Sequence, residues 1–127
     1  MKPETKFWQY VKKNFKQITW TRLENLSSFG TPDLLGYNTN CHFFTLELKV
    51  TKSKKVRLSP HQISFHVRHP LDTFILVQKL APRGSKLNEI FLYEGKQVQE
   101  LAARGLSLDA CSEGLDACRL RLESLGA

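Results

Sequence analysis

Cysteine, acid and long apolar runs are all in short supply in this sequence, and each shortage narrows what the chain can be. Cys41, Cys111 and Cys118 are an odd number of thiols with no CxxC pair. That points to a reducing interior rather than a disulfide scaffold. The longest buried-looking run is Phe74-Ile75-Leu76-Val77, far short of the roughly 18 residues a membrane-spanning helix needs. The opening Met1-Lys2-Pro3-Glu4-Thr5-Lys6 meets Phe7-Trp8 with no apolar h-region, so a protein that is not secreted is expected. No glycine-rich phosphate loop occurs, which argues against NTP use. What remains is one ordinary globular domain: 127 residues, 41% hydrophobic and 24% charged, suffice for a single core and not for two.

The scarcity of acid is local. Residues 1–69 hold twelve Lys and Arg against four Asp and Glu, whereas residues 70–127 hold seven against eight. A basic half on such a domain is expected to face a polyanion, because clustered cations release counterions from a phosphate backbone.

Hydropathy patterning predicts a mixed α/β domain. Phe7, Trp8, Val11 and Phe15 recur at helical spacing with lysines mostly on other faces, giving an amphipathic helix from about Glu4 to Phe15. Strands are expected over Ile18–Leu23, over Asp33–Tyr37 behind a proline, and over His42–Thr51, where Phe44, Leu46, Leu48 and Val50 make one face. In Ser59-Pro60-His61-Gln62 the serine can cap, the proline can take the first helical position and the glutamine the third, so a second helix starts there. Pro70 closes it. Strands follow at Thr73–Lys79 and Ile90–Tyr93, then a helix over Val98–Ala103. Leu108, Cys111, Leu115, Cys118, Leu122 and Leu125 alternate at steps of three and four, the stripe of a helix packed on its own sheet or against a second copy. Gly114 interrupts it.

The chemistry gathers around Thr31-Pro32-Asp33 and Glu47-Leu48-Lys49. Neighbouring antiparallel strands would let both carboxylates converge at one end of the sheet, and Glu47 and Lys49 share a face. Two hard oxygen ligands beside an ammonium suit a divalent cation and an attacked phosphate. Alone, ExK in a strand also describes a solvated charged face. Lys52, Lys54, Lys55 and Arg57 follow directly, as a phosphate clamp or as a solvated loop. Lys12, Lys13, Lys16 and Arg22 extend the basic surface.

Taken in order, Arg22-Leu23-Glu24-Asn25, Gly30-Thr31-Pro32-Asp33, Glu47-Leu48-Lys49 and Leu58-Ser59-Pro60-His61-Gln62 resemble the PD-(D/E)XK nuclease superfamily. They are similar to its small phage and prokaryotic Holliday-junction resolvase-like and VRR-type members, over residues 4–79. The resemblance implies a restriction-endonuclease-like αβββαβ core (about 4–93) with a C-terminal helical extension (about 96–126). It implies a Mg²⁺- or Mn²⁺-dependent endodeoxyribonuclease acting on branched DNA in a bacterial or phage-infected cytoplasm, with a homodimer for a symmetric junction. Asp33, Glu47 and the Leu48 carbonyl would hold the metal, Lys49 would position the attacking water, and Glu24 would add a carboxylate, directly or through water. Many relatives carry that acid inside the first helix, where Glu4 is the alternative. Gln62 would stand beside Lys49, although its place in a capping box is a sufficient reason for it. The rival from another class is a catalytically silent DNA-binding module on the same fold.

Other residues carry less. His66 and His69 share a helix face with no acid or cysteine to complete zinc ligation, so His61, His66 and His69 are expected to face DNA or solvent. Cys111 and Cys118 are expected to be packed thiols, and Trp8 and Trp20 core.

Overall fold

A computed structural model describes residues 2–23, 30–82 and 88–127 of the chain. Helix α1 spans Pro3–Asn14. Proline opens it, Glu4 lies in its first turn, and Lys12 and Lys13 lie in its last, each charge matched to the helix dipole. Strands β1 (Thr19–Arg22), β2 (Leu34–Tyr37) and β3 (Phe43–Thr51) form an antiparallel meander. Helix α2 (Pro60–Arg68) then crosses over to β4 (Thr73–Lys79), which lies parallel to β3. Strand β5 (Glu89–Glu94) returns antiparallel, and α3 (Val98–Arg104) follows it. A short β6 (Ser112–Glu113) and α4 (Leu115–Glu123) end the chain. The sheet order is sequential, β1-β2-β3-β4-β5-β6.

Alternation along the strands separates two cores. Phe44, Leu46, Leu48, Phe74 and Leu76 face α1 and α4, meeting Phe7, Val11, Phe15, Cys118 and Leu122. Ile75, Val77 and Tyr93 face the other way, meeting Val56, Val98, Leu101 and Leu108. Strand β4 is buried from Thr73 to Gln78, as expected for a central strand covered on both sides. Trp8 and Trp20 pack edge to face at 6.5 Å on the rim of the first core, half-buried rather than enclosed.

The C-terminal stripe does not form one helix. Gly114 adopts φ +86 and divides it: Ser112 pairs with Leu92 as a sixth strand before α4 begins. Leu108 therefore joins the second core while Cys118 and Leu122 join the first. Cys111 is exposed, its N–H donated to the Leu92 carbonyl, and only Cys118 is a packed thiol. Burial pushes the Cys118 thiol up to about 12.

Candidate active site

The β2–β3 ladder ends at Leu34–Leu46, because Pro32 has no N–H to extend it. One step further, the Asp33 carboxylate replaces backbone: its Oδ2 accepts the Leu48 N–H at 2.7 Å. Asp33 and Glu47 thus stand opposite each other where the two strands part. Glu47 points to the α2 side and is 2% exposed.

Helix α2 completes the arrangement through one side chain. Ser59 Oγ accepts the Gln62 N–H and Gln62 Oε1 accepts the Ser59 N–H, a full capping box. The same Oε1 accepts from Lys49 Nζ at 3.0 Å, and Nε2 donates to Glu47 Oε2 at 3.2 Å. The capping box and the contact with Lys49 coexist, since the cap fixes the rotamer that reaches the strand. Replacing Gln62 with alanine should therefore lower stability by about 1–2 kcal/mol through the lost cap and bonds. It should also release Lys49. A chemical melt of Gln62→Ala that overlays the wild type would contradict this linkage.

Glu47 Oε1 is buried, and among the described residues nothing donates to it. Burial, then the Asp33 charge and a side-chain hydrogen bond with Asp33, together raise the Glu47 pKa to about 9 against the opposing pull of Lys49. A carboxylate held this way is short of positive charge.

Glu4 also contributes to that field. It lines two cavities that flank the site, one of about 290 Å³ with Trp8, Arg22, Asp33 and Leu48, the other of about 380 Å³ with Lys49, Lys52, Lys55 and Arg57. Of the two acids weighed from sequence as the further carboxylate, the first-helix one stands beside Asp33 and Glu47. Glu24 lies outside the described residues. Only the packing of α1 with its N-terminus at the parting of β2 and β3 brings Glu4 here, and no motif announces that. Among the described residues, no three His, Cys, Asp or Glu side chains form a cluster able to hold a metal by themselves.

The basic residues divide. Lys52, Lys55 and Arg57 line the cavity beside Lys49, and Arg22 lines the one beside Asp33. Lys54 is exposed on the same loop. That loop is pinned: Val56 is buried, and the Lys54 carbonyl accepts the Leu106 N–H at 2.7 Å. Gly105 makes this approach possible, at φ +58 with its Cα against the Lys54 carbonyl. Lys12, Lys13 and Lys16 are not in the site. Lys12 and Lys13 sit in the last turn of α1 and Lys16 just beyond it; Lys12, 5.8 Å from the Trp8 ring, is roughly 12 Å along the helix from Glu4.

The histidines divide as well. His61 and His69 are exposed, but His66 is 0% exposed, contrary to a solvent- or DNA-facing position. Its Nδ1 bonds the Gln62 carbonyl, and its ring packs by Gly95 and Thr73, so burial lowers its pKa.

No protein-family model matches the chain, and no curated protein matches it.

Proposed function

We propose that this chain is a Mg²⁺- or Mn²⁺-dependent endodeoxyribonuclease of the PD-(D/E)XK type. The observation that carries the reading is Glu47: a buried carboxyl group to whose Oε1 no described residue donates, opposite Asp33 and bridged by Gln62 to Lys49. Two carboxylates fit Mg²⁺, which commonly takes one or two from the protein and fills its shell with water and substrate phosphate. Asp33 and Glu47 would hold the ion, with the Leu48 carbonyl and, through water, Glu4 as further donors. When bound, the cation supplies a more acidic water and offsets charge growing on the phosphate.

The chain's own residues do the rest. Lys49 has three N–H donors and spends one on Gln62. The others can orient the attacking water or bind a phosphate oxygen. Water adds to phosphorus, one P–O ester bond breaks, and the departing sugar oxygen takes a proton. Lys52, Lys55 and Arg57 grip the backbone beside the reacting bond. No helix among the described residues is long and apolar enough to cross a membrane. Branched DNA and a homodimer are the substrate class and assembly that the resemblance favours.

The reading is tested on a labelled four-way junction, flap, duplex and single strand, each with Mg²⁺, Mn²⁺ or EDTA. Metal-dependent cutting supports it, whereas tight binding with no cutting under either metal leaves a DNA-binding module. The loop makes its own prediction. Lys55→Ala should weaken binding to every sequence alike and reduce the salt slope by about one unit. A loss confined to one sequence would refute a backbone grip.

A further inference from the structure

Helix α2 meets the sheet at β3, where Gln62 bonds Glu47 and Lys49, and its first turn packs on Gly30. Ile63 turns toward α3, packing in the second core, so Phe65 and the C-capping His69 lie on the other flank of the helix, roughly 160° and roughly 120° round from it. Their rings stack at 4.3 Å. On the side they overhang, no described helix lies over β1, β2 and the first half of β3. Thr19, Thr21 and Phe43 are exposed there, and Leu35 and Tyr37 only half-buried.

This bare strip is continuous with the candidate active site. Register and alternation put Tyr37 and Phe43 on the same face as Asp33 and Glu47, four residues along each strand, or roughly 13 Å. The Tyr37 and Phe43 rings are in contact at 4.4 Å, and Phe43 is 58% exposed. The charge is suited to a polyanion. On β1, β2, β3 and the residue leading into β2 this face carries no acid but Asp33 and Glu47, Glu89 and Glu113 lying across the sheet on β5 and β6; α2 carries no acid, and Asp72 at the far end is bonded to His42 at 2.8 Å.

We infer that this face is a stacking platform for unpaired nucleobases, with Tyr37 and Phe43 receiving bases of a single strand whose backbone continues to the Asp33–Glu47–Lys49 site. The inference rests on the nuclease reading and narrows its substrate to DNA with a single-stranded arm. Aromatic rings stack on any base, so the preference is for unpaired structure rather than sequence. Rings locked inside a duplex cannot reach the platform.

The test is anisotropy of a labelled oligo-dT and of a length-matched duplex in EDTA, with wild type, Phe43→Ala, Phe43→Leu and Phe43→Tyr. Loss of the ring should weaken single-strand binding about tenfold or more in the alanine and leucine variants. Tyrosine should retain it, and duplex affinity should change less than twofold in all three. Because Phe43 is so exposed, the melting temperatures should stay together, and retained binding by Phe43→Tyr controls for folding. Equal single-strand affinity for Phe43→Ala, Phe43→Leu and wild type overturns the platform. So does sedimentation showing that Phe43→Ala only converts a dimer to monomers, which would assign the face to a second copy. Duplex cleavage with Mg²⁺, run in parallel, separates the two readings. Cutting that persists while Phe43 proves irrelevant removes the platform alone, and a wild type that neither binds nor cuts removes both.

Discussion

Asp33→Asn should cut DNA at least about a thousandfold more slowly than the wild type while folding normally. The amide oxygen of asparagine can still accept the Leu48 N–H that Oδ2 now takes at 2.7 Å, so the end of the β2–β3 ladder keeps its hydrogen bond. What disappears, on the proposed reading, is one of the two negative charges that would face the cation. Electrostatic stabilisation by a bound metal amounts to several kcal/mol, and each 1.4 kcal/mol is tenfold in rate. Lys49→Ala should be impaired for a different reason: it leaves cation binding intact and removes the donor that Gln62 holds. The two variants therefore part on metal dependence. Raising Mg²⁺ should partly restore Asp33→Asn and leave Lys49→Ala unchanged. Rates for Asp33→Asn equal to wild type on every substrate would remove Asp33 from the chemistry.

Much of this site is legible in the sequence because its parts obey local rules. Ser-Pro-x-Gln specifies both a helix start and the rotamer of Gln62, so a capping pattern also locates a residue that bonds Lys49 and Glu47. Period-two alternation in β3 assigns Phe44, Leu46 and Leu48 to one core and turns Glu47 to the other side. What local rules leave out is tertiary. Glu4 reaches the site only because α1 lies across the sheet with its first turn beside Asp33, which no spacing encodes. The Leu108–Leu125 stripe has helical spacing, yet Gly105 and Gly114 take positive φ and Ser112 pairs with Leu92. Backbone pairing with β5 overrides a side-chain period there. His66 looks like an exposed polar residue of a basic helix and is enclosed instead, because the Gly95 turn and Thr73 pack against it. Local signals specify which atoms carry chemistry; packing decides which of them meet.

Glu47→Gln should make the metal-free protein more stable while abolishing its activity. The unfolded chain sheds the Glu47 proton near 4.5, but the folded chain keeps it up to about 9, because burial and Asp33 disfavour the anion. Between those values the folded state binds more protons, so stability falls as pH rises through the window. At pH 7 the gap of roughly 2.5 pH units corresponds to about 3 kcal/mol. Glutamine has no proton to shed and forgoes that penalty. Its amide is less well matched to the Gln62 Nε2–H and to the site around Oε1, which offsets part of the gain. A net gain of about 2 kcal/mol is expected, or roughly 6–8 °C in melting temperature for a domain of this size. The pH profile should change with it: from about pH 7 to 9, above the titration of His66, wild type loses stability that the variant keeps. Mg²⁺ reverses the order, since a cation that binds only the folded wild type stabilises it by mass action and leaves Glu47→Gln unmoved. Melting curves across pH, with EDTA and with Mg²⁺, decide the matter. A Glu47→Gln protein less stable than wild type at pH 8 in EDTA would mean that Glu47 is ionised and satisfied in the fold, and the case for a charge kept in tension for a cation would be lost.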